Sequence, residues 1–143
     1  MKLIEHLEAL LPEPAVSWLM TMFSVIQTFD DYADGDPVDR KELDALIWNT
    51  LVALPSNEFF AKNATTLLPI IASAVLKWQA SDKAEKEGRA DERCYMWRAG
   101  YYDLILMAVL VTHGSAIAIE QAETCMRLYG EDFEDYIKEF RNA

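Results

Sequence analysis

Three aspartates fall within the five residues Asp30-Asp31-Tyr32-Ala33-Asp34, at what the spacing predicts to be a helix C-terminus. Helix carbonyls there already carry partial negative charge, so clustered carboxylates need an offset: a cation, a proton or a basic side chain. The apolar positions Val16, Leu19, Phe23 and Ile26 continue into Asp30 and Asp34 along one helical stripe, whereas Ser17, Thr21, Ser24 and Thr28 lead to Asp31. This places Asp30 and Asp34 inward at the rim of a core, with Asp31 on the small-polar side. A second stripe, Leu67, Ile71, Ala74 and Trp78, turns acidic at Asp82 and Glu85. Antiparallel packing would bring both acidic ends to one end of a bundle, where Arg98, early in the following helix, could neutralise a carboxylate or contact an anion. Hard cations such as Mg²⁺ bind a few carboxylate oxygens and retain waters that a phosphate can replace. The expected metal set is therefore Asp30, Asp34, Asp82 and Glu85, with Asp31 second, and Mg²⁺ is the cofactor it would suit.

The pentapeptide Asp30-Asp31-Tyr32-Ala33-Asp34 resembles the DDxxD aspartate-rich motif of the isoprenoid-diphosphate (terpenoid) synthases, which are also all-helical. In that family the motif binds Mg²⁺ ions that hold the substrate diphosphate. The resemblance covers five residues of 143, and it implicates Asp30, Asp31 and Asp34 alone. No second DDxxD is present, and Ser81-Asp82-Lys83-Ala84-Glu85 is only a faint echo of the family's other metal motif. An EF-hand reading of the same segment fails, because Tyr32 takes the third loop position and Lys41 the twelfth, where a bidentate glutamate is required. The plainer reading is a solvated helix end in which Asp36 caps the next helix, Pro37 is its first residue, and Asp39 and Glu42 favour its dipole. For Asp82 and Glu85 the plainer reading is a mixed-charge helix end.

The elements that must position these side chains read as helices. A short amphipathic segment from Lys2 to Leu11 ends at Pro12 and Pro14, and a longer helix runs from Pro14 to Ala33, stopped by Gly35. Helices then follow over about Pro37 to Leu54, from a Ser56 cap to about Glu87, from Ala90 to His113, from Ser115 to Tyr129, and after Gly130. Pro69 inside the fourth predicts a kink there or a break near Asn63. Gly100 predicts a close helix contact, and Asp103 and Lys77 an ion pair between neighbouring helices. No segment alternates long enough to be a strand. The expectation is a single all-α domain over residues 1–143, an antiparallel bundle of five or six main helices.

Composition narrows the function. A net charge of −11 excludes direct binding to nucleic acid or an anionic membrane surface. The apolar stretches Ala64 to Trp78 and Leu104 to Ile119 are interrupted at Pro69 and at His113-Gly114, and they read as buried helices and not as membrane spans. Cys94 and Cys125 on separate helices, and the absence of a signal-peptide pattern, predict a reduced, cytoplasmic setting. No triad or zinc constellation can be assembled from spacing, so no catalytic residue is assigned. The favoured expectation is a small non-catalytic interaction or structural protein, with a protein partner or self-association. One alternative is Mg²⁺-dependent binding or hydrolysis of a phosphate or diphosphate ester at the acidic rim. Another is an acidic decoy, of the kind some phages encode, that inhibits a nucleic-acid-binding protein.

Overall fold

A computed structural model describes residues 2–141 as α-helices joined by short turns, with no strand among the described residues. The fold is all-α, as the sequence predicts. Its contacts divide into two compact units, Met1–Ala64 and Thr65–Ala143.

Unit 1 begins with α1 (Leu3–Leu10) and α2 (Glu13–Ala33), which bury Leu7, Val16, Trp18 and Leu19. Trp18 stacks on Phe60 at 5.5 Å between ring centroids, and Asn57 Nδ2 donates to the Pro14 carbonyl at 3.0 Å. Gly35 stops α2 at φ +79°, a conformation that only glycine adopts without strain. The amides of Gly35 and Asp36 turn back onto the carbonyls of Tyr32 and Asp31. α3 (Arg40–Trp48) starts three residues later than the Asp36-Pro37 pair suggests. Its cap is Asp39, whose carboxylate accepts from the Glu42 amide at 2.8 Å, while the Asp36 amide closes the preceding turn.

α3 runs into a π-helical segment, Asn49–Ala53, and a single turn, α4 (Leu54–Ser56). Pro55 has no N–H to give the Leu51 carbonyl, and its ring crowds that group. The widened π turn, in which the Leu54 amide reaches Asn49, relieves both. α5 (Glu58–Lys86) opens on Asn57, which accepts from the Phe60 amide. Ser56 is not the cap, since its hydroxyl donates to the Val52 carbonyl instead. Asn63 is non-helical (φ −117°, ψ 15°), so the break falls there, with the Asn63 amide group bonded to the Phe59 carbonyl. The boundary between units follows one residue later.

Unit 2 holds the rest of α5, then α6 (Glu92–Trp97), α7 (Tyr101–His113), α8 (Ser115–Met126) and α9 (Phe133–Arg141). Gly100 lies between α6 and α7, close against α5, where a Cβ would lie 2.7 Å from the Cβ of Ala74. Lys77 and Asp103 pair at 2.8 Å, both about one-third exposed. The expected burial of Leu104 to Ile119 stops halfway, with Leu110, Val111, Ile117 and Ile119 exposed, whereas Leu104, Ile105, Ala108 and Val109 of α7 are buried. α5 is not: an 18-residue window of it has mean hydropathy 1.5, yet only 11% of that window is buried. It is long and apolar enough to cross a membrane by length and composition, which its interruption at Pro69 had argued against.

Candidate functional site

The polar centre of unit 2 forms where the end of α5 meets α6 and α9. Ser81 and Glu85 lie four residues apart and therefore on one face of α5. Glu85 is 8% exposed, and Tyr136 from α9 is fully buried beside it. The Tyr136 hydroxyl donates to Glu85 Oε2 at 2.7 Å. Ser81 Oγ lies 2.9 Å from that same oxygen and 2.9 Å from the Cys94 carbonyl, with one proton to give. Arg98, at the end of α6, brings Nε to 3.6 Å from Glu85 and Nη1 to 3.4 Å from Glu131. Its guanidinium also lies over the rings of Tyr136 and Phe140, 5.2 and 5.0 Å from their centroids.

A second tier surrounds this pair. Tyr129 Oη lies 3.0 Å from Glu131 Oε2 and 2.9 Å from the Tyr95 carbonyl, and the Tyr95 hydroxyl donates to the Glu131 carbonyl. Tyr95 packs against Tyr129, Phe133 and Tyr136. Burial raises the Glu85 carboxyl above its ordinary value of 4.5, although the Tyr136 hydroxyl, the Arg98 charge and the Ser81 hydroxyl each pull it back. Burial and the neighbouring carboxylates push the Tyr129 and Tyr136 phenols far up, so both remain donors at neutral pH.

The chemistry available here is fastening. Glu85 does not line the adjacent cavity of about 330 Å³, whose walls are Ala84, Arg89, Asp91, Arg93, Cys94 and Trp97. Arg93 forks onto Asp91 at 3.1 and 2.8 Å and holds its carboxyl down to about 2, while Arg89 pairs with Glu87 at 2.8 Å. The Cys94 thiol is raised by burial, so it stays protonated and is not an activated nucleophile.

The sequence-predicted site residues fall in both units. Asp30, Asp31 and Asp34 belong to unit 1, whereas Asp82, Glu85 and Arg98 belong to unit 2. Asp30 and Asp31 are both half-buried, and Asp34 is exposed. The inward stripe therefore stops before Asp34, because α2 ends at Ala33 and Asp34 serves as its C-cap. Asp82 pairs with Lys86 at 2.9 Å one turn along α5, and Glu85 is committed to Tyr136, Ser81 and Arg98. Among the described residues, no group of three or more His, Cys, Asp or Glu side chains is arranged to hold a metal ion. Arg98 acts as a neutraliser of carboxylates, one of the two roles its position suggested.

Two further apolar surfaces lie outside the expected core. On α3 and the π segment, Leu43, Ile47, Trp48, Leu51 and Val52 are exposed, Trp48 by 62% and Leu51 by 72%. The available signal was width: apolar residues between Leu43 and Leu54 occupy more of the helix than one buried stripe requires. On α5, Leu68, Val75 and Leu76 are exposed on the side that also carries Ala72. No protein-family model, no curated protein and no solved structure matches the chain.

Proposed function

We propose that this is a non-catalytic, self-associating structural protein whose copies pair through the exposed stripe Leu68, Ala72, Val75 and Leu76 of α5. The observation that carries this reading is the exposure of that stripe, 53% at Leu68 and 66% at Leu76, within a helix stretch free of acidic residues. Between Glu58 and Asp82 the only charges are Lys62 and Lys77, and Lys77 is paired with Asp103. On a chain of net charge −11, copies repel almost everywhere else. A twofold axis crossing α5 near Ala72 would lay each stripe on its own copy, the self-complementary arrangement of the commonest homo-oligomers. The free cysteines Cys94 and Cys125, both buried, suit a reducing, cytoplasmic setting for such an assembly.

Sedimentation equilibrium across a concentration series tests the reading. Dimer is expected for the wild type, and monomer for Leu68→Glu and Leu76→Glu with unchanged helical circular dichroism. A wild type that stays monomeric at the highest soluble concentration overturns it, as does one that floats with neutral lipid vesicles through α5 and fails to dimerise.

A further inference from the structure

The second apolar surface lies in unit 1 and has different surroundings. Leu43, Ile47, Trp48, Leu51 and Val52 form two adjacent rows on the solvent side of α3 and the π segment. Leu46 and Leu54 take the opposite, better-covered side. From Ala45 to Asn57 the chain has no charged residue. Immediately before it, residues 30–44 carry seven acidic and two basic side chains, and Arg40 is engaged by Asp44 at 2.8 Å. The ridge is thus apolar along its length and strongly negative at the end where α3 begins. The π segment lies within this ridge, and both Leu51 and Val52 in it are exposed.

We infer that this ridge docks an amphipathic helix of another protein, one with an apolar stripe and lysines or arginines at its flank. The apolar rows match a stripe at i, i+3, i+4 and i+7, the helix-in-groove mode of recognition, and Trp48 is the kind of residue that anchors such contacts. The acidic segment selects the sign of the partner and speeds its approach. A second copy of this chain does not supply the complementary charge, since its residues 30–44 carry seven acidic side chains against two basic ones and residues 45–57 carry none. The inference stands apart from pairing through α5, which uses a different unit.

The test is a titration of the whole protein into a fluorescein-labelled amphipathic peptide of leucine and lysine, about five helical turns long, followed by anisotropy. Saturable binding is expected, weakening roughly tenfold or more as salt rises from about 50 to about 300 mM. The deciding variant is Leu51→Asp. It makes the surface more negative, so general charge attraction would tighten binding, whereas docking on the ridge requires a loss of roughly tenfold. The double variant Asp39→Asn with Glu42→Gln, which keeps a capping side chain at the start of α3, should weaken binding and flatten its salt dependence. The Leu76→Glu variant should bind as the wild type does, which separates this result from self-association. Equal or tighter binding by Leu51→Asp overturns the inference, as does equal affinity for a leucine/glutamate peptide of the same length.

Discussion

Two carboxylate clusters that look alike along the chain meet opposite fates in the fold. In unit 1, residues 30–44 are acidic and largely exposed, and Arg40 pairs with Asp44 at the surface. In unit 2, Glu85 is withdrawn from water and enclosed by a phenol, a hydroxyl and a guanidinium, and Glu131 shares the guanidinium. The difference lies in what the neighbouring helices supply. Unit 2 brings Arg98 and the hydroxyls of Tyr136 and Tyr129 to its carboxylates, and a buried charge survives only with such partners. Acidic charge in unit 1 therefore shapes the surface, and in unit 2 it orders the interior.

The contrast breaks first at Arg98. Arg98→Ala should leave Glu85 buried without its cation and destabilise unit 2 by about 3–5 kcal/mol, read by chemical denaturation. A cost under about 1 kcal/mol would mean that Glu85 is held neutral and the ion pair contributes little. Tyr136→Phe removes only the hydroxyl bonded to Glu85, with an expected cost of about 1–3 kcal/mol. Gly100→Ala should cost about 1–3 kcal/mol as well, since the new methyl meets Ala74 while all polar contacts remain.

The pH dependence sharpens the same comparison. Glu85 titrates higher in the folded chain than its ordinary 4.5, so its contribution is fully present below that value and is lost as pH rises through the folded value. Asp91, held down to about 2 chiefly by its bond from Arg93, works the other way, contributing above its ordinary 3.8 and losing that contribution on acidification. Stability measured as Glu85→Gln minus wild type should accordingly rise between about pH 4.5 and neutrality. A flat difference would show Glu85 fully compensated. The smallest effect is expected in the other cluster, where Asp36→Asn, at an exposed side chain, should change unfolding free energy by less than about 0.5 kcal/mol.

Much of this architecture can be read from local rules. Positive φ at Gly35 and Gly114 marks two of the expected helix boundaries, the break at Asn63 is one of the two places expected, and Gly100 sits where two helices touch. Lys77 and Asp103 pair as their depths suggest. What stays hidden depends on competition or distance. Asp36 and Asp39 are equally good caps by type, and the turn bond from the Asp36 amide decides between them. α5 is apolar on more than one side, so its pattern does not say which side faces solvent, and the expected burial of Ala64 to Trp78 fails for that reason. Periodicity puts Glu85 on a core-facing stripe but cannot name Tyr136 as its partner, because nothing local links residues 51 positions apart.

That separation also sets a clock. The chain between Glu85 and Tyr136 must be drawn into a closed loop before their bond can form, at an entropic cost that local helix contacts do not carry. The Tyr136 hydroxyl should therefore engage after the rate-limiting barrier of folding. Weakening it would then leave the folding rate nearly untouched and accelerate unfolding, so this phenolic proton lengthens the lifetime of folded unit 2 without helping it to form.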